Sequence, residues 1–566
     1  MFNEEKDKEC IKLKQDLLQL LPDYIDIYAE QKPEELALIE YDTETEVPWK
    51  EFATNTKAFA AKLLDMGLEK GDVIATTLPL LKEHVYLMFA CFRIGIIIAP
   101  LDLRLKTREV LKCFEMIQPK AYFFLGKTDV NDFRYMVGEL MDNNSSCEHW
   151  IQFDLRPDLI MKGAISIAQF AMSIEKTYIG GILTGSVKSA AKLVGKRDPA
   201  LIIFTTGSTG FPKPAVLCQE NILIQNIGLA VGFDIGDDDV MCVNLPPSHV
   251  GCVTEQLCTT VYVGGTAVIL HIFDAEKTLD AIQRYGVTVF GQIPALFAMQ
   301  WRLPNYDSYD LSTLKFALYG GQAVSREFLE RLSTMAPKFG TGLGLTETAG
   351  FVTYTPLDGT IEDILSSVGY ESPLCPISIR EPMKNNGKAG DEKEHGEVGE
   401  ICFSGDQIFL GYLNDQENTR KTVSKDGYCY TGDLGYYDEQ GLHFAGRSKF
   451  VIKPKGYQVF PTEVENFIEE EFPEKIEIVG CVGMKHEIFS EAIVAFVGVR
   501  SDAEISVDMI QDACKELAAY KRPSYIELID AEDFPLNRVS KTDYVILKKM
   551  GRGIVENLRN EGKWDR

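Results

Sequence analysis

Apolar positions along the chain fall into short unbroken runs, separated by longer stretches in which they recur every three or four residues. The runs at 72–77, 96–100, 121–125, 200–204, 266–270, 287–290 and 316–319 are β-branched or otherwise apolar, which predicts buried strands. The helical period returns between them, and this rhythm predicts an α/β architecture of stacked layers. Near the start, Leu17, Leu18, Leu20 and Leu21, then Tyr24, Ile25, Ile27 and Tyr28, predict helix over 16–30, divided in two by Pro22. Residues 381–395 (EPMKNNGKAGDEKEH) are polar and punctuated by glycine, which predicts a solvated connection between strands. After Gly446 the alternation restarts, with helical spacing at 463–470 and 509–520 and strand-like runs at 476–482 and 492–499. The reading is therefore a large domain over 1–446 and a small one over 447–566.

Composition narrows the class. Of 566 residues, 45% are hydrophobic and 25% charged, as in soluble enzymes. The net charge of −26, from 58 basic and 84 acidic residues, would repel nucleic-acid phosphates and anionic membranes, while leaving room for a small anion met by a few converging donors. Thirteen cysteines and seven histidines show neither C-x-x-C spacing nor a helical histidine pair, so buried thiols in a reducing compartment are expected and no structural metal site is. No segment is apolar for about 18 to 20 residues, the opening residues are charged, and no peroxisomal Ser-Lys-Leu ending is present; a cytoplasmic location without a membrane span is expected. Oligomeric state is not legible.

The chemistry concentrates first at 205–213 (TTGSTGFPK), directly after the strand-like run at 200–204. Glycines let backbone amides approach oxygen, hydroxyls add donors, and a lysine adds compact charge, a mixture suited to phosphate. The order is not that of a P-loop, since Pro214 follows Lys213. Gly126, Lys127 and Thr128 imitate the end of a P-loop, but Ala121 stands where its first glycine belongs.

Further segments follow in order: 89–104 (FACFRIGIIIAPLDLR), 245–251 (LPPSHVG), 317–322 (ALYGGQ), 341–347 (TGLGLTE), 428–433 (YCYTGD), 446–449 (GRSK), 453–465 (KPKGYQVFPTEVE) and 534–541 (FPLNRVSK). Together with 205–213 they resemble the adenylate-forming superfamily of acyl-CoA synthetases and AMP-dependent ligases, over residues 16–550. The resemblance implies a multi-layer N-terminal domain with a small β-barrel-like part and a mobile α+β C-terminal domain. It further implies that a carboxylic acid is converted with ATP and Mg²⁺ to acyl-AMP and pyrophosphate, and that the acyl group then passes to coenzyme A.

By the same resemblance Thr205, Thr206, Gly207, Ser208, Thr209, Gly210 and Lys213 hold phosphates. Gly320, Gly321 and Gln322 lie against adenine, and Thr341, Gly342, Leu343, Gly344 and Leu345 continue the nucleotide segment. Thr346 meets the α-phosphate, and Glu347, a hard oxygen ligand, suits Mg²⁺. Asp433 suits the ribose hydroxyls, Arg447 lies near ribose and phosphate, and Lys449 is the pivot. Lys455, Gly456 and Tyr457 face coenzyme A, where a glycine leaves room for the pantetheine arm. Lys541 is the catalytic cation. His249 is either an acyl-site residue or a packing residue, and Lys521 and Arg522 either meet coenzyme A phosphates or are solvated charges. The acyl pocket is expected at 250–256, 292–297 and 319–322. Two departures from the pattern are Leu343, where an aromatic residue would stack on adenine, and Ser540, in place of glycine.

Three other readings stay open at this point: a luciferase-like oxygenase, a carrier-protein-directed adenylating enzyme, and a catalytically silent nucleotide sensor. The trio Glu347, Asp433 and Lys541 argues against the last.

Overall fold

The computed structural model describes residues 4–565 except 19, 130, 155, 206–211, 448–449, 455–458, 502 and 538–540. Two large sheets dominate. One has eight strands in the order Gly411–Tyr412, Lys213–Cys218, Pro199–Thr205, Ile97–Pro100, Val73–Thr77, Ala121–Leu125, His149–Phe153 and Ile165–Ser166. The other has seven, Phe339–Thr341, Phe316–Tyr319, Val289–Gln292, Val240–Val243, Thr266–Ile269, Leu36–Glu40 and Thr45–Pro48. Each is parallel through its centre and turns antiparallel at one edge. The strands expected from apolar runs all form, with Val289–Gln292 two residues later than the run that announced it.

The principal core lies between these sheets. Two helices, Lys82–Ile94 and Gln219–Gly232, are buried along nearly their whole length, as a helix covered on all sides must be. Polar residues of the second act as ties. Gln219 accepts from the Leu21 amide at 2.9 Å and donates to the Phe92 carbonyl at 2.8 Å. Asn221 donates to the carbonyls of Asp406 and Ile408 at 2.6 and 2.8 Å, and Asn226 donates to that of Thr254 at 2.7 Å. Buried amides partnered in this way hold loops from distant parts of the chain around one helix. All thirteen cysteines are free and buried.

The N-terminal helices differ from expectation. The first is the charged segment Glu4–Gln15, and the second is Leu21–Gln31 with Pro22 in its first turn. Proline's fixed φ and missing donor suit a helix start, so Pro22 opens a helix instead of dividing one. Helix at 509–520 is likewise curtailed to Val507–Ala513, followed by short 3₁₀ turns.

An antiparallel four-stranded sheet, Ile377–Arg380, Gly399–Phe403, Cys429–Asp438 and Gly441–Arg447, follows the large sheets and takes the place of the expected barrel-like part. Residues 381–395 form the connection between its first two strands. A three-stranded sheet, Ile476–His486, Ser490–Val499 and Tyr525–Asp530, packs with helices Pro461–Glu471, Val507–Ala513 and Tyr544–Asn560 around its own apolar clusters. This is the smaller C-terminal domain. Exposed ion pairs Arg302–Glu477 (2.9 Å) and Arg500–Glu327 (3.3 Å) bridge it to the large domain. Among the described residues no helix is long and apolar enough to cross a membrane.

Candidate active site

The C-terminal ends of the parallel strands carry the candidate residues, as expected for ligands of open α/β sheets. After Phe316–Tyr319 the chain turns through Gly320 and Gly321. A Cβ at Gly320 would lie 3.0 Å from the Phe351 ring, and Gly321 has φ +99°, so this turn requires glycine twice over. Thr341 fastens it, donating from Oγ1 to the Tyr319 carbonyl at 2.8 Å. Farther on, a Cβ at Gly342 would collide with the Thr353 carbonyl, and one at Gly344 would lie 2.7 Å from the Gly350 backbone. This wall is therefore backbone packed on backbone. Leu343 is held within it, its amide donating to Thr353 Oγ1 at 2.7 Å and its carbonyl accepting from the Val352 amide at 2.8 Å. The side chain packs partly against the main core, and Gln322 lies exposed beyond the turn.

Lys541 reaches this turn from the small domain. A Cβ on Gly321 would meet its Cε at 3.5 Å and its Nζ at 3.7 Å. The loop that delivers it is clamped across its own neck, since the Asn537 amide donates to the Lys541 carbonyl at 2.7 Å and the Lys541 amide donates to Asn537 Oδ1 at 3.1 Å. Asp543 then opens the terminal helix, accepting from the Val545 and Ile546 amides at 3.0 Å. A residue 220 positions from Gly321, by subtraction of the two numbers, thus comes within side-chain contact of it.

His249 follows strand Val240–Val243. Burial lowers its pKa, Asp102 opposes that, and the positive charges of Arg104 and Lys541 add to it. The segment 89–104 thus ends in the site, where Asp102 and Arg104 form a bidentate pair at 2.6 and 2.9 Å.

Thr205 and Lys213 are paired across the strands that carry the candidate phosphate loop. Thr206, Gly207, Ser208, Thr209 and Gly210 lie outside the described residues, as do Lys449, Lys455, Gly456, Tyr457 and Ser540. The Lys213 ammonium lies 4.9 Å from the centre of the Tyr412 ring, a cation–π contact. Tyr412 in turn donates its hydroxyl to Glu347 Oε1 at 2.5 Å. Thr346 and Glu347, both half-buried, open a 3₁₀ turn directly after Gly344–Leu345. Nothing in the sequence motifs marked Tyr412. Its role arises because Gly411–Tyr412 pairs with Lys213–Cys218, Tyr412 opposite Ala215, a contact between segments far apart in the chain.

Asp433 is buried in strand Cys429–Asp438 and pairs in register with Arg447. Its amide donates to Thr431 Oγ1 at 3.0 Å. Nearby Glu400 is pushed up by burial, although the Gly432 amide donates to it at 3.0 Å. Arg522 is folded back on its own loop, donating to the carbonyls of Leu517 and Lys515 at 2.8 and 2.6 Å, and Lys521 pairs with Glu463 at 3.0 Å.

The expected acyl wall is a helix of π type, Gly251–Cys258, with Gln256 donating to the Gly291 carbonyl at 2.6 Å. Behind it runs a line of buried amides. Asn244 donates to Gln292 at 3.0 Å, and Gln292 donates to Gln300 at 2.6 Å. Ile293 faces Gly321 from this side, 3.6 Å from where its Cβ would lie. The arrangement offers a turn lined by glycines, a lysine ammonium, a hard carboxylate and a helix face of mixed polarity. Those are parts for joining a nucleotide to a carboxylate.

Known proteins match this arrangement. A putative acyl-CoA synthetase of Bacillus subtilis is 24% identical over 91% of this chain and 93% of its own. An indoleacetate–CoA ligase of Aromatoleum aromaticum is 27% identical over 92% and 97%. An anthranilate CoA ligase solved with anthranoyl-AMP has the same fold, with a TM-score of 0.80 at 18% identity over 96% of this chain and 99% of that one. The family model described as AMP-binding enzyme matches residues 25–413, which include the hydroxyl and glycine loop, the glycine turn and Glu347, and the chain therefore belongs to the AMP-binding enzyme family.

Proposed function

We propose that this protein is an ATP-dependent acid–CoA ligase, converting a carboxylic acid to acyl-AMP plus pyrophosphate and then to acyl-CoA plus AMP. The observation that carries the reading is Lys541 set against the Gly320–Gly321 turn. A carboxylate is a poor acyl donor because its leaving group would be oxide. Attack of one of its oxygens on the α-phosphorus expels pyrophosphate, and negative charge builds on oxygens that the Lys541 ammonium can meet.

The remaining roles rest on the resemblance of the motifs. Residues 205–210 and Lys213 hold the triphosphate, Thr346 contacts the α-phosphate, and residues 320–322 and 341–345 face the base. Asp433 and Arg447 take the ribose side. His249, kept neutral by burial, borders the reacting carboxylate. Glu347 fits Mg²⁺, because Tyr412 orients one of its oxygens while the side chain stays half-buried. The ion would neutralise triphosphate charge. Residues 1–446 and 447–566 act as separate bodies about Lys449, and their rotation withdraws Lys541 and brings Lys455, Gly456 and Tyr457 to the acyl-AMP. The cytoplasm suits thirteen free thiols.

Lys541→Ala is expected to lower ATP–pyrophosphate exchange by roughly 10²-fold or more, while thioester formation from supplied acyl-AMP survives. Equal loss of both half-reactions would reject the division of labour.

A further inference from the structure

The expected acyl wall contains a carboxyl that the ligase mechanism does not use. In helix Gly251–Cys258 every residue is buried except Gly251 and Glu255. These two are four apart, one turn, so they share the less buried face of the helix. One oxygen of Glu255, Oε1, accepts from the Phe351 amide at 2.9 Å. The other, Oε2, lies 3.4 Å from the point that a Cβ on Gly251 would occupy.

The surroundings are shaped around this group. Gly350 has φ +129°, and a Cβ there would lie 2.6 Å from both Cγ and Oε1 of Glu255, so only glycine at 350 admits the carboxyl. Gly251 is similarly confined, its Cβ position lying 2.9 Å from Leu245 Cδ1. Among the described residues no cation pairs with Glu255, and burial pushes its pKa up to about 7, offset in part by the Phe351 amide. If fastening the Phe351 amide were the only task, a neutral side chain would serve without the penalty of desolvating a carboxylate.

We propose that Glu255 Oε2 selects the substrate, accepting a hydrogen bond from a hydroxyl or N–H carried on the acyl part of the acid. The inference rests on the ligase reading and adds to it the class of acid: one with a hydrogen-bond donor in its body, as opposed to a plain alkyl or aryl acid. Glu255 sits on the part-exposed face of its helix, where a donor can reach it, and Gly350 supplies the room for the carboxyl that receives it. A site built to bond a substrate hydroxyl discriminates strongly against the analogue lacking it, because the buried polar group is then left without a partner.

The test is ATP–pyrophosphate exchange of the full chain with matched acids: 3-phenylpropanoate, its three ring-hydroxylated isomers and their methoxy analogues, and octanoate with its hydroxylated isomers. The parent is expected to favour at least one hydroxylated isomer over its plain counterpart by about 10-fold or more in kcat/KM. In Glu255→Gln the amide oxygen keeps the Phe351 bond and the NH₂ replaces Oε2, so preference should move from the hydroxyl to the methoxy analogue. Glu255→Leu should raise turnover of the plain acids, and unchanged melting temperatures would show that both variants fold. A parent that takes plain and hydroxylated acids equally, or a hydroxyl preference untouched in both variants, overturns the inference and leaves the ligase reading standing. No exchange with any acid would sink the ligase reading itself.

Discussion

Removing one oxygen, in Tyr412→Phe, tests how the carboxylate at 347 is held. The Tyr412 hydroxyl donates to Glu347 Oε1 at 2.5 Å, and a hydrogen bond to a charged acceptor contributes about 1.5–3 kcal/mol. The substitution spares the other contacts of this ring. Phenylalanine retains the edge packing on Phe409 (centroids 5.0 Å apart), the backbone pairing of 412 with Ala215, and an aromatic face under Lys213. The hydroxyl also bonds the Thr422 side chain, so Thr422→Val, which removes that contact alone, is the control for the Glu347 bond. At about 1.4 kcal/mol per factor of ten, the full bond corresponds to roughly 10- to 150-fold, an upper limit because Tyr412 acts through Glu347. The expected result is a rise of about 10-fold or more in the free Mg²⁺ needed for half-maximal ATP–pyrophosphate exchange, with the rate at saturating Mg²⁺ falling much less. An unaltered Mg²⁺ requirement, or a loss that no concentration of Mg²⁺ restores, would refute the claim that Tyr412 positions a metal ligand.

Two further predictions concern the small domain. Burial pushes Glu465 up to about 8 despite hydrogen bonds from the Cys481 amide and the Tyr544 hydroxyl. Between the ordinary carboxyl range and pH 8 the folded chain keeps this proton and the unfolded chain does not, so stability falls as pH rises through that window. Glu465→Gln should flatten the decline and melt higher than the parent at pH 8, by a difference on the order of a few kcal/mol; parallel pH profiles would contradict this. Arg302→Ala with Arg500→Ala, which removes both exposed bridges between the domains, should shift stability by less than about 1 kcal/mol. It should slow exchange about two- to fivefold through a weakened Lys541 pose, and thioester formation that slows equally would show that the pairs do not favour that pose.

Much of this organisation is legible in the sequence because it is local. A glycine pair after an apolar run announces the turn at 320–321, and the run at 200–204 becomes the strand that leads to the candidate phosphate loop. Lys541 is legible by its place after Pro535, yet its contact with Gly321 is a property of two packed domains. What escapes the sequence is pairing at a distance. Tyr412 looks like any strand tyrosine until strand pairing sets it beside Lys213. Phe351 shows no chemistry, but its ring fills the place behind Gly320. Asp102 and Arg104 belong to a segment that reads as core, and only the folded chain brings them to His249. Helix Glu4–Gln15 was hidden for another reason, since its charged sequence buries one residue, Cys10, and has almost no apolar stripe to betray it.

The two walls of the cleft differ in what they would let a lineage change. On one side Gly342 and Gly344 press main chain against main chain, so almost any new side chain there meets a peptide group that cannot yield. Against that same backbone, at Gly350 and Phe351, packs Glu255, and like Ile293 it presents a side chain instead of main chain. Drift in diet is therefore open to this scaffold by single substitutions at such side chains, while the main-chain contacts stay fixed for the nucleotide that every such acid must share.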